Sequence, residues 1–367
     1  MNRQLITVAA VGAMSAALLA GCGSSSSPST NPGTSVSSTA GETPIQQIQT
    51  ALTSLASGTD LTATFQLGLS GSSLESLVNT IGHSSLTSAQ ANEIAGGKIV
   101  IAEHTTASSL SSAVSTPNSN QTDVSFIDDG TTLVDVRSIS GVVYIQLQLG
   151  KLFTLFNAPP GELSGIQAYA SNLPTFVQKL IDGDWISIQT SDLKSLEQEI
   201  TGAVGASAPA SPNSSQQQAF LSNLEQILTN DVTVTQTGST SSGTTYTLSA
   251  NTRTLVVDLI NAVEKIEPAL SSEVNSQFKA SKVPSKTITF GATVTDGKVS
   301  QISFDFAQLA PPSAHVPASD HLPLDLNLST APVTVSVPSG ATPVNMSDLG
   351  SLLGEIGGAT GSGGSSF

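Results

Sequence analysis

The chain is predicted to be an α+β protein built on an antiparallel sheet of about ten strands. Three observations carry this. Strand-like runs follow one another through tight-turn dipeptides, Asp129-Gly130, Ser140-Gly141 and Asp296-Gly297, which favour hairpins. Stretches with apolar residues at helical spacing are interspersed among the strands. No long parallel strand–helix–strand series is visible, so the sheet is not of the dinucleotide-binding kind.

The elements follow in chain order. Residues 44–56 place Ile45, Ile48, Leu52 and Leu55 on one helical stripe, with Gly58 as a stop. Residues 61–69 alternate with period two and read as a strand. Residues 74–81 and 88–94 are helical or irregular, 98–105 a strand and 107–122 a polar loop. Runs 123–128, 131–139 and 142–149 form a meander. Residues 152–156 and 163–181 are helical, with Pro174 as a kink or restart, and a short strand over 184–188 carries the only tryptophan. A helix over 193–200 and an Ala/Pro/Ser loop over 202–215 precede a helix over 216–228. Hairpins follow at 232–237/244–249 and at 287–295/299–306, separated by a helical stretch over 253–278 that breaks near Pro268. Strands over 322–328 and 333–337 close the fold, and Ser347 caps a short helix over 346–356.

Composition excludes several functions. Twelve basic residues against 27 acidic ones, a net charge of −15, speak against nucleic acid as a partner. They also speak against docking on anionic headgroups by charge. Charged residues make up only 11% of the chain, less than half the usual share of about 25%. The single cysteine, Cys22, rules out disulfides within the chain and cysteine-rich metal centres.

The N-terminus is the sharpest signal. Arg3, a short apolar run over 5–18, and Leu19-Ala20-Gly21-Cys22 form a secretory signal whose end resembles the lipobox of bacterial lipoproteins. The resemblance implies cleavage after Gly21 and acylation of Cys22, which anchors the protein on the outward side of the cell membrane. The uncharged Ser/Thr/Pro/Gly stretch after it cannot bury enough apolar surface to fold and reads as a tether. The predicted organisation is therefore a signal peptide over 1–21, a lipid-anchored flexible tether over 22–43, an α+β domain over 44–340 and a weakly ordered tail over 341–367.

Three groups of strand motifs resemble the lipid-binding lipoproteins of the LppX/LprG kind and the wider LolA-like group. They are Gly141-Val-Val-Tyr-Ile-Gln-Leu with Asp184-Trp185-Ile-Ser-Ile, then Val294-Thr-Asp-Gly-Lys-Val-Ser-Gln-Ile-Ser-Phe, and finally Leu324-Asp-Leu-Asn-Leu-Ser with Pro332-Val-Thr-Val-Ser-Val-Pro338. The resemblance implies a strongly curved antiparallel sheet with helices on its concave face and acyl chains held between them. The chain is long for that group, which implies an enlarged or duplicated version.

Catalytic and metal patterns are incomplete. His83, His104, His315 and His321 lack zinc-ligand spacing and read as surface or loop histidines. Asp128-Asp129-Gly130 lacks the closing glutamate of a calcium loop and reads as a turn. Ser191-x-x-Lys194 and Ser276-x-x-Lys279 lack the partner motifs of penicillin-binding enzymes. No cofactor, metal or catalytic residue is expected. The apolar stripe Ile166, Tyr169, Leu173, Phe176, Val177 and Leu180, with Trp185, is either ordinary core or the lining of an acyl-chain cavity.

The expected function is a non-enzymatic, membrane-anchored envelope lipoprotein that binds or carries a lipid or glycolipid. The alternative is a surface or sensory domain with a solid core and an envelope protein partner. Replacing Cys22 with serine should move the protein from the detergent phase to the aqueous phase in cloud-point partitioning and abolish labelling by a clickable palmitate. Unchanged partitioning would remove the anchor from this account.

Overall fold

The computed structural model describes residues 42–81, 86–113, 119–155, 158–159, 161–170, 173–192, 214–266, 283, 285–309, 321–345 and 347–348. The expected signal peptide, Cys22, nearly all of the expected tether, His83, His315, the expected helix over 193–200 and most of the expected C-terminal tail lie outside these residues.

In chain order the elements are α1 (Pro44–Ala56), β1 (Asp60–Leu67), α2 (Gly71–Ile81), α3 (Ser88–Gly96), β2 (Lys98–Thr105), α4 (Leu110–Ala113), β3 (Asn120–Asp128), β4 (Thr131–Ile139), β5 (Val142–Leu147), α5 (Leu149–Leu155), α6 (Glu162–Ala170), α7 (Thr175–Ile181), β6 (Ile186–Gln189), α8 (Ser214–Asp231), β7 (Val232–Thr240), β8 (Gly243–Asn251), α9 (Thr252–Ile266), β9 (Thr287–Thr295), β10 (Lys298–Asp305), a 3-10 turn (Phe306–Leu309), β11 (Pro323–Ser329) and β12 (Thr342–Pro343). The class is the α+β one expected, with long antiparallel strand series and separate helices.

The chain divides into two compact units, one made of residues 1–120 and 209–333, the other of 121–208 and 334–367. In the first, seven strands run in the order β2-β1-β11-β10-β9-β8-β7, every neighbouring pair antiparallel. Their registers align one apolar face. Phe65 stands opposite Leu326, Leu326 opposite Ile302, Ile302 opposite Ala292, and Phe290 opposite Leu248. The other face carries Thr62, Thr64, Asn327, Ser303, Thr293 and Thr247, the hydroxyl and amide side chains that a solvated pleated surface accepts. Helix α1 packs on β10 and β7, and α8 packs on α9.

The second unit has strands in the order β12-β6-β5-β4-β3, antiparallel except for the parallel β12–β6 pair. The three predicted turn dipeptides are two-residue hairpin turns with both residues at positive φ: 44° and 72° at Asp129-Gly130, 51° and 80° at Ser140-Gly141, and 51° and 71° at Asp296-Gly297. This is the hand that matches strand twist. Pro174 restarts the helix, as the N-cap of α7.

Two expectations fail. Residues 333–337 do not form a strand. Pro332 and Pro338 bracket them without N–H groups to offer, the Val333 N–H donates to Asp60 Oδ1 at 3.0 Å, and the Ser336 carbonyl accepts from Arg137 Nη1 at 3.1 Å. Side chains take the bonds that a ladder would need. The polar loop over 107–122 contains α4, whose Leu110 and Ala113 are buried, and the start of β3.

Helix α1 starts on a reciprocal cap. The Gln46 N–H donates to Thr43 Oγ1 at 3.4 Å, the Thr43 N–H donates to Gln46 Oε1 at 2.8 Å, and Pro44 occupies the first turn. Replacing Thr43 with alanine should cost about 1 kcal/mol in urea unfolding, and serine should restore most of it. An unchanged midpoint for the alanine variant would show that the cap is dispensable.

Candidate functional site

Among the described residues, helices α1, α8 and α9 and the short α4 cover the apolar face of the first unit unevenly. Helix α1 lays Ile48 against Tyr246 and Ala292, with Leu52, Val234, Leu248 and Val294 around them. Helices α8 and α9 join through Ile227 and Ala262. Leu55, Leu61 and Leu110 form a third cluster against Leu328. A cleft of about 390 Å³ remains among these packed groups. Ile48 and Leu52 from α1, Leu224, Ile227 and Leu228 from α8, and Leu255 from α9 form its helical walls. Phe65, Leu326, Ile302, Val299, Phe290 and Ala292 form its sheet floor.

Gln49 and Glu225 are the polar side chains among the described walls. Glu225 is exposed, and Gln49 Nε2 donates to Thr229 Oγ1 at 3.1 Å, tying α1 to α8. The volume falls in the range of small-molecule sites, about 300–1,000 Å³. What sets the cleft apart from the other concave spaces of the surface is its almost wholly apolar lining. The described floor residues carry no polar side chain, so the cleft is suited to hydrocarbon. Phe290 stacks on Phe304 at 4.7 Å, and Phe304 meets Phe306 edge-on at 5.0 Å, so an aromatic row runs from the floor to the exposed Phe306.

One carboxylic acid shares that sheet face. Glu103 on β2 stands opposite Leu61 and is 7% exposed. Burial pushes its pKa above the ordinary glutamate value. Two other acids are stabilised as anions. Burial acts against Asp60, but the Val333 N–H, His104 at 2.8 Å and Thr59 at 2.7 Å together hold its pKa below the usual value. At Asp305 burial is likewise overcome, by His321 at 2.6 Å and by the N–H groups of Leu322 and Ala307. The two described histidines thus each pair with an aspartate. Among the described residues no group of three or more His, Cys, Asp or Glu is placed to hold a metal.

The residues that read as either core or the lining of a ligand space belong to the second unit. Phe176 is packed with Ile186, Ile188 and Val344, and Val177 and Leu180 close around them. This is filled core. Leu173 is half-buried, Ile166 is 38% exposed, and the Tyr169 side chain lies outside the described residues. Trp185 lies beneath the Arg137 guanidinium, 4.8 Å from its ring centre.

Sequence reasoning missed the charged cluster around this arginine. Arg137 reaches Asp135 Oδ2 at 2.9 Å and Asp123 Oδ2 at 3.1 Å. Burial raises the Asp135 pKa against the pull of Arg137. Asp135 and Arg137 are two apart on β4, and Asp123 stands directly opposite Arg137 on β3. That period-two spacing on adjacent hairpin strands was the available signal. The bonds are mutually satisfied, which marks the cluster as structural.

The sequence matches no protein-family model and no curated protein. Among the solved structures similar to the chain are two lipoproteins of mycobacteria. One is the Mycobacterium tuberculosis lipoprotein LppX, 9% identical, covering 80% of this chain and 98% of its own with a TM-score of 0.31. The other is LprF from Mycobacterium bovis, also 9% identical, covering 81% and 97% with a TM-score of 0.31. No helix among the described residues is long and apolar enough to cross a membrane.

The buried acid has a measurable consequence. The folded-state pKa of Glu103 is raised, so its protonated form favours folding. That contribution is complete below the unfolded value of about 4.3 and is lost as pH rises through the folded one. Replacing Glu103 with glutamine should therefore raise the melting temperature at pH 7.5 and leave it nearly unchanged at pH 4. About 2–4 °C per kcal/mol is the scale for a unit of this size. An equal shift at both pH values would show that burial does not raise the carboxyl's pKa.

Proposed function

We propose that the protein is a lipid-anchored carrier of the cell envelope whose cleft receives the hydrocarbon tail of a lipid or glycolipid, without chemistry of its own. The observation that carries this reading is the cleft of about 390 Å³ with an apolar floor and polar side chains at Gln49 and the exposed Glu225. Water gains little in such a space, whereas each methylene transferred into it is worth about 0.8 kcal/mol. The acidic surface offers no attraction to anionic headgroups, so the acyl group on Cys22 is the element that would keep the protein at a membrane. A sensory domain with a solid core is disfavoured by the same void.

The reading predicts a chain-length series. Fatty alcohols should displace a fluorescent fatty-acid probe with affinities rising about fourfold per methylene until the cleft is full. Leu255→Trp, at a half-buried helical position on the wall, should weaken the longest members by about tenfold or more while circular dichroism stays unchanged. Affinity independent of chain length, together with no lipid seen by native mass spectrometry, would overturn the proposal.

A further inference from the structure

Next to the apolar cleft lies a second space of opposite character. It measures about 220 Å³ and is bounded by the other stripe of α1, by the β7–β8 turn and by the β9–β10 turn. Its walls carry the hydroxyls of Thr50, Thr240, Ser242, Thr244 and Thr295 and the Gln47 amide, with the carboxylates of Glu42 and Asp296 and no basic side chain among the described residues. The two spaces adjoin along the same elements. On α1, Gln47 and Thr50 face the polar one, and Ile48 and Leu52 the apolar one. On β9, Val294 belongs to the polar one and Ala292 to the apolar one, two residues or about 7 Å apart along the strand. Tyr246 stands at the boundary. Its ring packs with Ile48 and Ala292, and its hydroxyl donates to Gln47 Oε1 at 2.7 Å in the polar space.

We infer that this polar space is the headgroup site of the amphiphile whose tail lies in the cleft, and that it selects an uncharged, hydroxyl-bearing headgroup such as a glycosyl or glyceryl unit. The inference rests on the carrier reading above and narrows its ligand class. Hydroxyl and amide side chains both donate and accept, which suits a polyol. Glu42 and Asp296 oppose phosphate, sulfate or carboxylate, and no lysine or arginine in the walls would pair with one. The β9–β10 turn is held to the β7–β8 turn by Thr295 Oγ1 donating to the Ser242 carbonyl at 3.0 Å, so the walls exist before a ligand arrives.

The test uses the full-length chain with Cys22→Ser, so that only added amphiphile is measured, and probes that share a dodecyl tail. Isothermal titration below micelle concentrations compares dodecyl maltoside, dodecanol, dodecyl sulfate and dodecyl trimethylammonium. The maltoside should bind about tenfold tighter than the sulfate and tighter than the alcohol, the effect of one or two extra hydrogen bonds. Thr50→Trp, at an exposed position on α1, should remove the maltoside advantage and leave dodecanol unchanged. Glu42→Gln with Asp296→Asn should narrow the maltoside-over-sulfate ratio several-fold, by raising sulfate binding. Equal affinity for all heads, a preference for either ionic head, or a maltoside advantage that survives Thr50→Trp would overturn the headgroup site while leaving the tail cleft standing. Failure of every probe, dodecanol included, would overturn both.

Discussion

The segregation of side chains by strand parity in the seven-stranded unit is the constraint on which the rest depends. Its registers put Phe65, Leu326, Ile302, Ala292, Phe290 and Leu248 on one surface and threonines, serines and asparagine on the other. An apolar surface of that extent must be covered, and each large side chain removed from water is worth about 1.5–3 kcal/mol. Helices α1, α8 and α9 do the covering, but they close on it in separate clusters around Ile48, Ile227 and Leu55. Small side chains on the floor, Ala63 and Ala292, leave room where larger ones would have filled it. Cover and vacancy thus have the same origin, and the cleft persists because its supports are packed even though its centre is not.

Much of this fold is legible in the chain. The turn dipeptides mark their hairpins because the preferred two-residue turns need positive φ at both positions, which Asp-Gly and Ser-Gly accept. Strands with one covered face announce themselves by alternation, as 61–69 and 287–295 do. The bonding of 333–337 is less accessible, because its partners Asp60 and Arg137 lie far away in sequence.

The site is harder to read than the fold. Amphipathicity reports that a face is covered, and it is identical for a filled core and for a cavity wall. The stripe at 166–180 reads as core or as cavity lining alike, and its Phe176 packs with Ile186, Ile188 and Val344. The cleft walls come instead from segments as distant as Ile48, Leu224 and Phe290, and their common destination is set by sheet order. The Arg137 cluster hides for a related reason. Asp123 and Arg137 become neighbours only through the β3–β4 register.

Both hairpins that reach from the apolar cleft to the polar space slip register on the way. In β10 the slip falls between Val299 and Gln301, so Val299 and Ile302 share the cleft although they are three residues apart; in β7 it falls between Gln236 and Gly238. Each hairpin is therefore two frames joined at a joint. The bulge in β10 turns Val299, on the turn side, onto the same face as Ile302, so the cleft floor continues across the joint. The turn end, beside the polar space, and the far end, beneath the apolar cleft, are in this sense set in separate frames of one continuous sheet.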